Sequence, residues 1–305
     1  MSGQPHTQSG PVAASGVTSV LVERRRPSWV RRVSPLFWIG LIFLLVVVLL
    51  AVFAGQVAPH DPIRSQLALR LKPPSWMGGP AGFPLGTDHI GRDVFSRVIY
   101  GARASLAVGF AAVIVGGAVG IVIGLVSGYF GGWIDEVLMM LADMQLALPS
   151  VLPAIAVVAV LGASFTNLVI VIGLTGWVTY ARVCRAQVLV LREREFVEAV
   201  RAMGGGHGRI MLRHILPNTM APLIVVTTLD LARAIILEAT LSYLGLGIQP
   251  PSPSWGIMLG EGRQYLQDAW WIAVFPGLFL MMTTLVVSRM GDWLRDLLDP
   301  TMQGM

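Results

Sequence analysis

The chain has 305 residues, of which 54% are hydrophobic and 13% are charged, and its formal net charge is +5. This composition, with a mean hydropathy of +0.70, excludes a soluble globular domain and predicts a protein that crosses a membrane several times. The positive charge raises the possibility of a nucleic-acid-binding protein. We reject it and expect no nucleic acid partner, because the arginines flank apolar segments and no binding motif accompanies them.

The chain begins with a polar segment, residues 1–33, whose Gly, Ser, Pro and Gln content predicts a flexible tail. An apolar block follows at Leu36–Gln56. It is long enough to span a membrane, so we interpret it as an uncleaved helix and not as a signal peptide. Residues 34–104 therefore combine a first membrane helix with a long connection, Val57–Ala104, on the far side of the membrane.

Five further helices are predicted, because the remaining apolar blocks are continuous and do not alternate as strands would. Residues 144–181 carry no charge over 38 positions, too many for one span of about 20 residues. The polar stretch 162–167 predicts a tight hairpin there, with the first of its two spans beginning near Val137. With the blocks Ser105–Phe130, Met220–Tyr243 and Trp270–Val287, residues 105–298 form a five-helix core. A short tail, 299–305, follows.

The distribution of arginine predicts the orientation of these six spans. Fourteen arginines lie in the N-terminal segment, in the loop between spans four and five, and after span six. The opposite loops hold six arginines and the only lysine, Lys72, mostly in the long connection. Because positively charged residues favour the cytoplasmic side, both termini and the charged loop are expected in the cytoplasm.

The charged loop, residues 192–218, has the pattern of two short helices joined by a turn. One apolar face is formed by residues at helical spacing, namely Phe196, Val197, Val200 and Met203. The opposite face is polar, and Gly204 to Gly206 then end the first helix, because glycine accepts a turn that other residues resist. A second helix from His207 leads into the next span at Pro217. We interpret this helix–turn–helix as a docking surface for another protein, the alternative being an ordinary basic loop.

Residues 198–218, EAVRAMGGGHGRIMLRHILPN, resemble the EAA loop of ABC-importer permeases. Three further segments are similar to signatures of C-type permease subunits of dipeptide and oligopeptide importers: PLGTDHIGRDVFSRVIYGARASL at 84–106, EATLSYLGLG at 238–247 and GDWLRDLLDP at 291–300. The four motifs are distributed along the chain in the family's order, and the resemblance covers roughly residues 35–300. The resemblance implies an all-α, six-helix type I ABC-importer permease fold in the bacterial cytoplasmic membrane.

The resemblance also implies a function and partners. The chain would form half of the translocation path for short peptides, beside a homologous B-type permease. An extracytoplasmic substrate-binding protein would deliver the solute, and two ATP-binding subunits would bind ATP and Mg. Coupling to those subunits is carried over to the loop residues Glu198, Ala199, Arg201, Gly204, Arg209, His214, Leu216 and Pro217.

Catalytic motifs are not visible in the sequence. The only lysine lies in Leu71-Lys72-Pro73, so there is no Walker P-loop, and neither zincin spacing nor a GxSxG elbow occurs. We therefore expect no catalytic residue, no metal site and no cofactor in this chain. Cys184 is the only cysteine, which forbids an internal disulfide.

Charged residues inside the predicted spans are candidates for the translocation path, because burying an unpaired charge in a membrane is costly. They are Asp143, Asp230, Arg233 and Glu238. Asp230 and Arg233 can pair at i, i+3. The alternative for all four is a paired structural group.

Two outer segments are candidates for contact with the binding protein or for gating, through Arg92, Asp93, Pro251 and Trp255. The polar helix 92–103 is expected along the outer surface, and Trp255 at the membrane interface. The alternatives are a structural brace and simple packing. Two functional alternatives also stay open: a same-family permease for nickel, glutathione or oligosaccharides, and, disfavoured by the docking loop, a stand-alone channel or secondary transporter.

Overall fold

A computed structural model describes residues 35–298, and within that range the protein contains eleven α-helices and no β-strand, only an isolated bridge between Thr87 and Asp93. The two predicted tails, 1–33 and 299–305, lie outside the described residues. The helices are α1 Pro35–Val52, α2 Ala54–Val57, α3 Val94–Phe130, α4 Gly132–Leu146, α5 Val151–Leu161, α6 Phe165–Leu191, α7 Glu195–Ala202, α8 His207–Arg209, α9 Leu216–Tyr243, α10 Trp255–Gly262 and α11 Trp271–Leu298.

The predicted all-α class is confirmed, but the count of six uninterrupted spans is not matched exactly. Among the described residues, four helical stretches are long and apolar enough to cross a membrane: α3, α6, residues 207–243 and α11. The pair α4 and α5 passes the same test only jointly, with a bend of 88° between them. The apolar part of α1, Phe37–Val52, is shorter than a full span.

The bend between α4 and α5 corrects the predicted third span, which was expected to be one helix beginning near Val137. Residues 147–150 separate the two helices, and Pro149 lies among them. Proline has no N–H to donate and pushes the preceding residue out of the helical region, so the chain turns here. The predicted hairpin at residues 162–167 is present, since α5 ends at Leu161 and α6 begins at Phe165.

Helix α3 begins at Val94 and joins the expected helix 92–103 to the span predicted from Ser105. Asp93 is the N-cap, and its side chain accepts hydrogen bonds from the backbone N–H groups of Phe95 and Ser96. The 37 residues of α3 extend over about 55 Å, more than the roughly 30 Å of a membrane core. The expected surface helix 92–103 is therefore the first three turns of α3, which extend beyond the membrane core.

Helices α3 and α6 form the closest-packed pair of the fold. Gly116, Gly120, Gly124 and Gly128 are four residues apart and all face α6. A Cβ atom on Gly124 would lie 2.5 Å from the carbonyl oxygen of Ala181, nearer than real Cβ atoms approach. Small residues at this spacing let two membrane helices pack backbone to backbone. The result is a rigid two-helix body that joins the two ends of the molecule.

Candidate functional site

The predicted docking loop has the geometry that its sequence indicates. Helix α7 ends at Ala202 with Met203 as its C-cap, and Gly204 follows with a φ of +82°. This left-handed conformation favours glycine, and the N–H of Gly205 then donates to the carbonyl of Val200 at 2.9 Å. After the turn, α8 continues without a break through a π-helical segment, Ile210–Ile215, into α9. The turn thus joins two helices of which the second is the start of a membrane span.

Most of the residues predicted to couple to a partner are exposed. Glu198, Ala199, Arg201, Gly204, Arg209 and Pro217 are exposed, while His214 and Leu216 are half-buried. Among the described residues, the side chains of Glu198, Arg201 and Arg209 have no ion-pair partner. The loop therefore presents free charges of both signs.

The predicted apolar face of α7 is buried only in part. Val197 is fully buried and Val200 half-buried, whereas Phe196 is exposed and Met203 is 79% exposed. The reason is that α7 packs on the bundle only along the line of Val197 and Val200. Phe196 and Met203 instead add apolar surface beside the free charges, a combination typical of a protein-docking patch.

Both sides of this loop are tied to the C-terminal end of α3. Arg192, just before α7, donates from Nη1 to the carbonyl oxygen of Gly128 at 2.9 Å. His207, at the start of α8, shares a 2.9 Å hydrogen bond between Nδ1 and the Tyr129 hydroxyl. We call these two contacts the α3 clamp. The α3 clamp therefore attaches the loop to the two-helix body of α3 and α6.

A buried ionic cluster lies at the opposite, N-terminal end of α3. Asp88 accepts hydrogen bonds from Arg92 and Arg97, and Arg92 and Arg97 also contact Glu261 of α10 at 3.1 and 2.8 Å. The side chains of Asp88 and Arg97 are almost completely buried. This cluster therefore connects the 58–93 segment, α3 and α10 at one point.

The charges in this cluster stabilise one another. Burial alone raises the pKa of Asp88, but Arg97, Arg92 and the backbone N–H groups of Arg92 and Ile90 outweigh it, so that its pKa lies below the ordinary value. Asp88, His89 and Glu261 are also close enough together to share a cation. The two guanidinium groups already neutralise both carboxylates, which makes the cluster a structural ion-pair network.

Three of the four predicted gate or binding-protein residues are buried, which supports the packing alternative for them. Arg92 belongs to the ionic cluster, and Asp93 caps α3. The side chain of Trp255 is fully buried within the chain, so it has no surface with which to contact lipid, and Nε1 donates to the carbonyl oxygen of Val98 at 3.0 Å. Only Pro251, in the loop before α10, is exposed.

The four candidate path residues lie in different environments and are not brought together. Asp143 is paired with Arg182, and its side chain is 66% exposed. Asp230 and Arg233 pair on one face of α9, with Nε and Oδ1 at 2.6 Å, as their spacing predicts. Glu238 is fully buried and accepts a 2.6 Å hydrogen bond from the Ser242 hydroxyl. Asp143 is thus exposed and Arg233 is half-buried, with its Nη2 atom fully buried, whereas Asp230 and Glu238 are buried.

Several functional contacts were not found from the sequence. Arg182 and Arg185 are among the arginines that the orientation argument counted in the loop between spans four and five, but both lie within α6 and pair with Asp143 and Asp135 of α4. Glu261 and Tyr129 lie in none of the sequence motifs, so their contacts with the ionic cluster and with His207 were not predicted. Only an alternation of charge between neighbouring helices, acidic on α4 and basic on α6, could have pointed to the α4–α6 pairs.

These features define a class: an all-α membrane protein with a rigid helical body and a charged, exposed loop at one end. Residues 120–304 match the binding-protein-dependent transport system inner membrane component, and residues 32–74 match the N-terminal TM domain of oligopeptide transport permease C. The chain therefore belongs to the family of inner-membrane components of binding-protein-dependent transport systems. It is a permease component and not the ATPase, and its family implies an ATPase, a binding protein and another permease as partners.

Curated relatives agree with the predicted resemblance to C-type permeases, which is confirmed. The chain is 46% identical over 265 residues to the di/tripeptide transport system permease protein of Pseudomonas aeruginosa, covering 87% of this chain and 88% of the relative. It is 44% identical over 266 residues to the dipeptide transport system permease protein of Escherichia coli, covering 87% and 89%. The glutathione transport system permease protein of E. coli strain 536 is 42% identical over 264 residues, with 86% of each chain covered.

A solved structure supports the fold alone. The inward-facing methionine ABC transporter aligns with a TM-score of 0.52 at 17% identity, over 66% of this chain and 96% of that chain. The predicted ABC-importer permease fold is thereby confirmed.

Proposed function

We propose that this chain is the C-type permease subunit of an ATP-driven importer and forms half of its translocation path for short peptides. The observation that carries the proposal is the 46% identity, over 87% of this chain, to a di/tripeptide permease. The proposed partners are a homologous B-type permease, two ATP-binding subunits and an extracytoplasmic binding protein. Both termini and the docking loop lie in the cytoplasm, as the arginine distribution favours.

Coupling to the ATP-binding subunits is assigned to the docking loop. Its free charges and its exposed Phe196 and Met203 support a docked partner. The α3 clamp supplies the route by which the partner's movement reaches the membrane, through the Arg192–Gly128 and His207–Tyr129 contacts. The coupling residues that the resemblance implies, at positions 198–217, belong to the same loop as these two contacts.

The translocation path is assigned to those charges of the spans that are not fully buried: Asp143 and Arg182 are exposed, and Arg233 is half-buried. The Asp143–Arg182 pair and Arg233 offer both signs of charge, which suits a peptide with a positive amino end and a negative carboxyl end. Charges exposed at membrane depth need a hydrated surface or a protein partner. Asp230 positions Arg233. Glu238 has no exposed surface in this chain. We propose that it reaches the path when the helices open beside its hydrogen-bond partner Ser242.

Cysteine labelling tests this path. Cysteines at positions 143, 230 and 233 should react with a small water-soluble thiol reagent in at least one nucleotide state of the assembled complex. A cysteine at exposed, apolar Ile114 on α3 is the matched control and should remain unlabelled. The native Cys184 is buried and adds little background. If none of the three positions reacts in any state, the charges are structural and the path assignment fails.

The substrate is tested by ATP-driven uptake into proteoliposomes that contain the complete complex with its binding protein. A radiolabelled dipeptide should accumulate, and excess unlabelled dipeptide should suppress that uptake. One alternative is favoured by a specific observation, the 42% identity to a glutathione permease. Uptake of glutathione with no uptake of dipeptides would replace the peptide assignment by that alternative, while leaving the permease assignment intact.

A further inference from the structure

A cavity of about 760 Å³ opens near the N-terminal end of α3. Four separate parts of the chain form its wall: the turn after α2, one face of α3, the first residue of α6 and the loop before α10. Its size is in the range of small-molecule sites. It shares no residue with the docking loop or with the proposed path.

The α3 wall of this cavity presents donors that have no partner. Tyr100, Arg103, Ala104 and Ala107 line it at helical spacing. Within the described chain, the Arg103 guanidinium makes no ion pair, and the Tyr100 hydroxyl makes no hydrogen bond. A cation beside apolar neighbours at the edge of a membrane needs an anion, and guanidinium suits the oxygens of phosphate.

The opposite lip of the cavity presents an acceptor. Asp61 is exposed, and the N–H of Ile63 binds its Oδ1 at 2.9 Å, which leaves Oδ2 free. The neighbouring His60 is already engaged, since its ring is stacked on Phe83 and its Nδ1 faces Asp93. The cavity thus offers a cation on one wall and a carboxylate on the other, which complements a ligand with separate negative and positive groups.

An apolar stripe continues from this cavity along α3. Phe110 and Ile114 follow Arg103 at i+7 and i+11, on the same face, and are 50% and 69% exposed. From Arg103 to Ile114 the helix rises about 16 Å, which is half the thickness of a membrane core. A small polar solute needs no such stripe, whereas an acyl chain running from the cavity into one leaflet would cover it.

We propose that the cavity holds the headgroup of a glycerophospholipid that carries a phosphate and a primary ammonium group, such as phosphatidylethanolamine. Arg103 and Tyr100 bind the phosphate, Asp61 binds the ammonium, and an acyl chain lies along Ala107, Phe110 and Ile114. The proposal does not depend on which solute is transported. Besides the cavity and the apolar stripe, it requires only that the chain lies in a membrane.

The test is lipid titration of the detergent-solubilised complete complex, followed by native mass spectrometry. Dioleoyl phosphatidylethanolamine should bind more tightly than dioleoyl phosphatidylglycerol, which has no ammonium group. Arg103→Gln should weaken binding of phosphatidylethanolamine by at least about tenfold, because a charge-assisted contact is lost. Arg103→Lys should retain much of it. Asp61→Asn should remove the preference for phosphatidylethanolamine while binding of phosphatidylglycerol remains.

Arg64→Gln is the control for Arg103→Gln, because Arg64 is an exposed arginine close to Asp61 in the sequence that does not line the cavity. It should bind lipid as the unmodified complex does. ATP turnover by each variant complex shows that it has assembled. The proposal is overturned if Arg103→Gln binds phosphatidylethanolamine as tightly as Arg64→Gln does, or if the complex binds the two lipids equally well. It is also overturned if the dipeptide Ala-Phe displaces the bound lipid, since the cavity would then be a peptide site.

Discussion

The turn of the docking loop gives the sharpest prediction about coupling. Gly204 has a φ of +82°, and no atom lies within 4 Å of where its Cβ would be, so a side chain there meets no steric obstacle. Only the backbone conformation opposes Gly204→Val, and it costs about 1–2 kcal/mol in the left-handed region, with β-branched residues among the worst cases. That free energy corresponds to a roughly 5- to 30-fold loss of the docking conformation.

Gly206 offers a matched control for this substitution. It is in the same loop and also has open space around it, but its φ is −69°, a value that valine adopts without strain. ATP-driven uptake by reconstituted complexes should therefore fall about 5- to 30-fold for Gly204→Val and stay near normal for Gly206→Val. Gly204→Asn should lie between them, since asparagine tolerates this region better. Equal uptake by the two valine variants, at equal amounts of inserted protein, would refute the reasoning.

Three further predictions concern the clamp, the helix pair and the ionic cluster. Tyr129→Phe removes the hydrogen bond to His207, so uptake should fall by up to about tenfold at nearly constant ATP turnover. The control Tyr265→Phe, whose hydroxyl makes no hydrogen bond within the described chain, should change neither quantity. An unchanged ratio of uptake to ATP turnover in Tyr129→Phe would show that the clamp does not transmit motion. Gly124→Val places a side chain against the backbone of Ala181 and should lower the free energy of unfolding, followed by thermal unfolding, by about 1–3 kcal/mol. Ala118→Val, at an exposed position of α3, should be tolerated. Equal melting temperatures of the two variants would mean that α3 and α6 are not tightly packed. Arg97→Met removes one of the two guanidinium partners of the buried Asp88 and the half-buried Glu261 and should destabilise the protein by about 3–5 kcal/mol. Arg97→Met with Asp88→Asn should recover part of the loss. A melting temperature of Arg97→Met equal to that of the unmodified protein would rule out a stabilising network.

The architecture could be predicted from the sequence where local chemistry decides it. Long apolar blocks predict membrane helices, and the glycines after Met203 predict the turn of the docking loop, because only glycine adopts such a conformation cheaply. The i, i+3 spacing of Asp230 and Arg233 also predicts their ion pair. In each case the information lies within a few neighbouring residues.

The remaining features depend on contacts between segments far apart in the chain. Burial of Arg97 depends on Glu261, 164 residues away, and no local pattern reveals that partner. Likewise, Arg182 was assigned to a loop because it is charged, whereas Asp143 of α4 pairs with it and keeps it within α6. The surface helix 92–103 and the span from Ser105 were predicted as separate elements, whereas α3 joins them in one helix.

Placement of the docking loop against an ATP-binding subunit is tested most directly by photo-cross-linking. A benzophenone reagent attached to a cysteine at Ala199, which is exposed on α7, should cross-link to an ATP-binding subunit in the assembled complex. The same reagent at Ser252, exposed near the opposite end of α3, should not. No cross-link from position 199 to an ATP-binding subunit, or an equally strong cross-link from position 252, would contradict the account.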